Sequence, residues 1–160
     1  MNIFVGQENM NFVSACANDG KTFGVFDMTI DEYCQAISTI CDRTATLPHV
    51  LTCEYTLEKR PPDQAYIHGR IEWMNGSELH WMEYCDREGS TVKKLRYSYH
   101  LQDKIHALVF RYDNAAHKPQ LPFKEHKHSA TSDGSQTIFK TDAPTLGEVI
   151  EETIAWYGWL

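Results

Sequence analysis

Residues 66–85 read Tyr66-Ile67-His68-Gly69-Arg70-Ile71-Glu72-Trp73-Met74-Asn75-Gly76-Ser77-Glu78-Leu79-His80-Trp81-Met82-Glu83-Tyr84-Cys85, and this stretch decides the fold. Asn75-Gly76 is the strongest hairpin signal in the chain, because both residues tolerate the positive φ that a tight type I′ turn demands. It joins a predicted strand over residues 66–74 to a second over 78–85. Upstream, residues 49–57 also read as a strand of period two, and Pro61-Pro62 breaks the chain before the next one. Downstream, Glu88-Gly89 makes another turn. Leu95, Tyr97, Tyr99 and Leu101 then alternate with Lys94, Arg96, Ser98 and His100, predicting a strand with one buried face and one cationic face. A turn at Gln102-Asp103-Lys104 leads into residues 105–111. The sum is an antiparallel meander of about four or five strands.

Helices flank this meander. Thr29-Ile30-Asp31-Glu32 has the form of a capping box, and Ile30, Tyr33, Cys34, Ile37 and Cys41 follow on one helical face that ends before Pro48. Thr145-Leu146-Gly147-Glu148 is a second capping box, followed by Leu146, Val149, Ile150, Ile154 and Tyr157 at helical spacing. Two amphipathic helices need an apolar surface, and one face of the meander supplies it, so the fold class is α+β with both helices on one face. Residues 11–17 and 21–26, separated by Asn18-Asp19-Gly20, read as an additional N-terminal hairpin within residues 1–28. No repeat, low-complexity run or Gly/Ser linker divides the chain, so residues 1–160 parse as one domain.

The apolar fraction of 42% and charged fraction of 23% are those of a globular protein. No apolar run approaches the roughly 18 residues of a membrane helix, and the start of the chain lacks a signal-peptide pattern, so the expected location is the cytoplasm. Five scattered cysteines without a C-x-x-C pair read as small core residues. Trp156-Tyr157-Gly158-Trp159-Leu160 is apolar enough to serve either the core or a partner contact, a homodimer included.

Charge is unevenly spread. Residues 1–86 carry 5 Lys/Arg against 13 Asp/Glu, residues 87–128 carry 9 against 4, and residues 129–160 carry 1 against 5. The middle third is thus a basic island holding five of the eight histidines. Such a concentration in an acidic protein suits a cleft for phosphate or another anion better than a broad footprint on duplex DNA.

Within the island, residues 111–128 form a dense connecting segment stiffened by Pro119 and Pro122. If residues 125–129 are extended, His126 and His128 share a face and Lys127 points away. RNA cleavage without a metal needs a base for the 2′-hydroxyl, an acid for the leaving oxygen and cations for the phosphorane. His117, His126 and His128, with Asp113, Arg111 and Lys127, supply these roles; Arg96, Tyr99, Asn114, Lys118 and Lys124 are candidates for substrate binding. No metal or cofactor is expected in this reading. Two metal alternatives use the same residues. Three histidines could hold Zn²⁺, although no carboxylate partner is evident. Asp113 with Glu125-His126-Lys127 imitates the D…E-x-K pattern of Mg²⁺-dependent nucleases. The non-enzymatic alternative is a protein whose cationic cleft binds nucleic acid, a nucleotide or an acidic segment. Walker, HExxH and GxSxG motifs are absent from the sequence.

Arg96-Tyr97-Ser98-Tyr99-His100, Phe110-Arg111-Tyr112-Asp113-Asn114-Ala115, His117, Pro119, Leu121-Pro122 and His126-Lys127-His128 together resemble the signature of the TumE-type toxins of bacterial and archaeal toxin–antitoxin modules. Gly69-Arg70, Gly76-Ser77-Glu78-Leu79 and the helix of residues 144–152 resemble further landmarks of that family. The resemblance is strongest over residues 67–128 and extends over 29–152. It implies a toxin that restrains growth until an antitoxin, usually a helix-turn-helix protein encoded beside it, neutralises it. By position, the implied site is Arg111, Asp113, Asn114, His117, His126, Lys127 and His128, with Arg96 and Tyr99 in support. The chain departs from the pattern at Ala116, where proline is expected, and at Lys118 and Glu125, where histidines are expected. His117, His126 and His128 therefore become the principal candidates. RNA is the expected substrate, through the chemistry of these residues.

Overall fold

Thr29 opens the first helix with the capping box expected for it: its side-chain oxygen accepts from the Glu32 N–H at 3.1 Å, and the Glu32 carboxylate accepts from the Thr29 N–H at 2.8 Å. In the computed structural model, which describes residues 27–159, this helix is α1 (Ile30–Ala45). Seven strands follow: β1 (Val50–Arg60), β2 (Gln64–Trp73), β3 (Glu78–Glu88), β4 (Thr91–Gln102), β5 (Leu108–Asp113), β6 (His126–Ala130) and β7 (Gln136–Lys140). The last element is α2 (Leu146–Trp156), with a capping box of its own built from Thr145 and Glu148. The expected N-terminal hairpin lies outside the described residues.

All seven strands form one antiparallel sheet in sequence order, each paired with its neighbours. The Asn75–Gly76 turn connects β2 to β3 as expected, but it is not type I′: only Gly76 has a positive φ, 82°, and the residues between Trp73 and Glu78 form a longer loop in which the Gly76 N–H donates to the Trp73 carbonyl. At Gly69 the reason for glycine is space. Its cross-strand neighbour is Trp81, and a Cβ there would meet the Glu54 carbonyl oxygen at 2.5 Å and the Trp81 ring at 2.8 Å.

One face of the sheet carries the core. Ala65, Ile67, Ile71 and Trp73 of β2, Leu79, Trp81 and Cys85 of β3, Tyr97, Tyr99 and Leu101 of β4, and Phe110 and Tyr112 of β5 are buried together. Ile30, Cys34, Ile37 and Cys41 of α1 and Leu146, Val149, Ile150 and Ile154 of α2 complete the same cluster. The α+β meander with two helices on one face is thus the observed architecture. Burial of this apolar surface is the main drive for the fold, at about 25 cal/mol for each Å² removed from water. The described cysteines are free, and Cys34, Cys41 and Cys85 act as small core residues.

The structure corrects several details. The sheet has two strands more than the longest meander expected, because β6 starts within the segment read as a connection and β7 follows it; only residues 114–125 of that segment are loop. The last expected turn is longer, with the Asp103 carboxylate accepting from the Ile105 and Ala107 N–H groups, each at 2.9 Å, before β5 starts at Leu108. In β4 the alternation is interrupted. Tyr84 faces Arg96 but Cys85 faces Lys94, so Leu95 is a bulge residue and stands 38% exposed. Lys94 therefore turns to the helix face, where its ammonium donates to Tyr99 Oη at 2.9 Å and to the Pro144 carbonyl, instead of joining Arg96 and His100. Of the four tryptophans, Trp73 and Trp81 are core, Trp159 packs 5.2 Å from the Trp73 ring and stacks on His49, and Trp156 stands exposed on α2. Among the described residues no helix is long and apolar enough to cross a membrane.

Candidate histidine–aspartate site

The other face of the sheet is open, and its polar side chains run in rows across the strands. Arg70 faces His80, His80 faces His100, His100 faces Arg111, and Arg111 faces His128. One step along, Asp113 at the end of β5 faces His126 at the start of β6. Since side chains alternate along a strand, Arg111, Asp113, His126 and His128 must all rise from this face. The loop of residues 114–125 then brings His117 back over them.

Asp113 is the hub. Its Oδ2 accepts from Arg111 Nε–H at 2.6 Å, and its Oδ1 accepts from the Ala115 N–H at 2.9 Å and lies 3.0 Å from His126 Nε2. His126 is fully buried, and its Nδ1–H donates to the Lys124 carbonyl at 2.7 Å. That bond fixes the ring and directs Nε2 at Asp113 and at His117, whose own Nε2 is 2.9 Å away. His128 Nε2 lies 3.0 Å from the Arg111 Nη2 donor and 3.7 Å from Asp113 Oδ2. Burial, and then the adjacent Arg111 charge, lower the His128 pKa below the ordinary imidazole value. One ligand atom from each of Asp113, His117, His126 and His128 lies within 4.8 Å of the other three.

His117 is half-buried and also belongs to the wall of an open cleft of about 760 Å³, lined throughout by the 114–124 segment. Lys118 and Lys124 stand exposed in the same wall. Arg96 is exposed on the open face, opposite Tyr84.

Three candidates from the sequence lie elsewhere. Lys127 points to the helix face, where its ammonium pairs with Glu152 of α2 and sits 4.7 Å from the centre of the Tyr112 ring. The alternation that puts His126 and His128 together sends Lys127 away from them, as expected, and so removes it from their chemistry. Asp113 and Lys127 being on opposite faces, the D…E-x-K arrangement is not assembled. Tyr99 is fully buried under the helices and donates to the Glu83 carboxylate. Asn114 is a structural latch: its Oδ1 accepts from the Tyr97 N–H and its Nδ2 donates to the Leu95 carbonyl, each at 3.2 Å. This holds the start of the cleft loop against the β4 bulge.

Asp113, a candidate already in the sequence, is also the carboxylate partner not evident there for a three-histidine metal set. Its contact with His126 follows from the pairing of β5 with β6, which a chain read without register does not disclose. His100 lies on the cationic face that the alternation of its strand predicts, and register then sets His80 opposite it and Arg70 opposite His80.

A family model described as "Toxin TumE" matches residues 41–157. The match takes in all seven strands, α2 and the whole Asp113/His117/His126/His128 cluster. Comparison with curated proteins found no match, and neither did comparison with solved structures. With well over half of its length matched, the chain belongs to the TumE toxin family.

Proposed function

We propose that this toxin acts on RNA, breaking the phosphodiester backbone at the Asp113/His117/His126/His128 cluster. The observation that carries the reading is the double membership of His117, which lies 2.9 Å from the buried His126 and also lines the open cleft. A substrate in the cleft meets His117 first, whereas His126 is fully buried and acts through it. His117 is therefore the catalytic residue of this reading, and His126 and Asp113 are its positioning residues. The Arg111 guanidinium, beside the cluster, supplies charge for the phosphorane, and Lys118 and Lys124 hold the polyanion along the cleft. Family membership implies an antitoxin partner. In this reading the antitoxin is a helix-turn-helix protein that silences the toxin by covering the cleft.

The test is incubation of the purified protein with a labelled single-stranded RNA pool, beside His117→Ala. Loss of a proton-transfer group lowers the rate by about two orders of magnitude or more. Saturable, salt-sensitive RNA binding without turnover by the wild-type protein would replace cleavage with the non-enzymatic reading. Added antitoxin is expected to suppress cleavage or, in the non-enzymatic reading, to displace the bound RNA.

A further inference from the structure

The geometry points to a divalent transition-metal site, of the Zn²⁺ class, held by Asp113 Oδ1, His117 Nε2 and His126 Nε2, with its fourth position open. This deepens the proposed function, since it gives the nuclease reading a metal-assisted form, but its own test does not depend on RNA.

The argument starts from His126. Its Nδ1–H is committed to the Lys124 carbonyl at 2.7 Å, so Nε2 offers a lone pair. Facing that lone pair are an Asp113 carboxylate oxygen at 3.0 Å and the His117 Nε2 at 2.9 Å. Electron pairs brought this close in a buried place repel unless a proton or a metal cation lies between them. One proton on His126 Nε2 lies along only one of these two vectors. A metal ion between the three atoms serves all of them.

Distances agree. Two ligands held ~2.1 Å from one ion at angles of roughly 90–110° lie about 3.0–3.4 Å apart. The observed 3.0 Å sits at the short end of that range and the observed 2.9 Å just below it, so the ligands move apart by a few tenths of an ångström at most to take the ion. The chemistry agrees as well. Imidazoles with one carboxylate suit zinc and its first-row neighbours, whereas Mg²⁺ and Ca²⁺ prefer oxygen ligands throughout. The carbonyl that orients His126 is the outer partner that metal-bound histidines commonly have. Arg111 does the same for the carboxylate, since it bonds Asp113 Oδ2 and leaves Oδ1 turned to the histidines. His128 Nε2 serves Arg111 as an acceptor, so the set has three committed ligands and a fourth position beside the cleft. Three protein ligands with an open position characterise catalytic rather than structural zinc sites. There the ion would act as a Lewis acid towards a phosphoryl oxygen.

The experiment uses the full chain, stripped with a chelator and dialysed, then titrated with Co²⁺ as a spectroscopic probe and with Zn²⁺ as competitor. The expected result is one equivalent of Co²⁺ with the intense visible bands of a low-coordinate, histidine-ligated ion, displaced by Zn²⁺. His117→Ala, at a half-buried position, is expected to bind ~100-fold more weakly. Asp113→Asn, which keeps the side chain's shape, is expected to weaken binding as well. His68→Gln, on the same sheet face but outside the cluster, is expected to bind like the wild type. Circular dichroism of each variant separates loss of a ligand from loss of the fold. A folded wild-type protein that leaves the Co²⁺ spectrum that of the free ion would overturn the proposal. So would equal binding by His117→Ala and His68→Gln. Loaded protein that leaves RNA intact would overturn the nuclease reading alone, with the metal site still standing.

Discussion

Asp113 and His126 face each other across the β5–β6 ladder with Oδ1 and Nε2 3.0 Å apart, and both side chains are buried. Backbone register places this pair: β6 can join β5 only with His126 and His128 on the open face and Lys127 on the helix face. The tight packing at the pair and the exposure of its neighbour His117 make separable predictions.

His117→Ala and His126→Ala are expected to part company in stability. His117 is half-buried in the cleft wall, so its removal should abolish RNA cleavage while thermal unfolding changes little. His126 has no exposed surface. Its removal leaves a cavity and an unpaired Lys124 carbonyl and is expected to cost about 2–4 kcal/mol in denaturant unfolding. Equal destabilisation by the two substitutions would show that His117 is core and not cleft.

Lys127→Met tests the face assignment. The ammonium lies on the aromatic rings of Phe110 and Tyr112, at 4.9 and 4.7 Å, and pairs with Glu152. Its loss is expected to lower stability by about 1–2 kcal/mol, with no change in RNA cleavage per folded molecule. A large loss of cleavage at unchanged stability would return Lys127 to the site, against the alternation of β6.

Gly69→Ala is expected to be among the most damaging single substitutions. Its Cβ would come within 2.5 Å of the Glu54 backbone oxygen, which is held by the pairing of β1 with β2, and 2.8 Å of the Trp81 ring, which is buried in the core. The expected cost is about 3 kcal/mol, read as a lower midpoint in urea. A melt like that of the wild type would contradict the close packing of Trp81 over Gly69.

Alkali should unfold the protein cooperatively. Burial is the first cause that raises the pKa of Tyr33, Tyr97, Tyr99 and Tyr112 above the ordinary tyrosine value; the Glu83 carboxylate then adds to it at Tyr33 and Tyr99. A raised folded-state pKa means that the unfolded chain loses these protons first. The stability linked to them is fully present below about pH 10 and is lost as pH rises from there through the folded-state values. The measurement is tyrosinate absorbance followed beside circular dichroism. These four residues should ionise together with unfolding, and their ionisation in a still-folded protein would contradict the burial assigned to them.

Much of the fold was legible locally. The Asn75–Gly76 turn, the capping boxes at Thr29 and Thr145, and the alternation of Tyr97, Tyr99 and Leu101 each depend on residues within a few positions of one another, and each predicts its element. The family signature, from Arg96 to His128, was legible in the same way. What stayed hidden depends on partners far apart in the chain. Strand β6 reads His-Lys-His-Ser-Ala and has no apolar alternation, because one of its faces holds the histidine cluster and the other a lysine laid on aromatic rings. Strand β7, with only Ile138 less than exposed, has almost no buried face to announce it. The bulge at Leu95, which turns Lys94 from the cationic face to the helix face, is a mismatch between two strands and exists only once they pair.

The sequence by itself determined the meander, its two helices and the family, and brought His117, His126 and His128 forward as candidates, because turns, caps and periodicity are short-range properties of the chain. Only the tertiary structure decided that Asp113 joins those histidines and that Lys127 and Tyr99 do not. Which side chains share a face is set by register, and register is settled by the packing of the whole sheet beneath its helices.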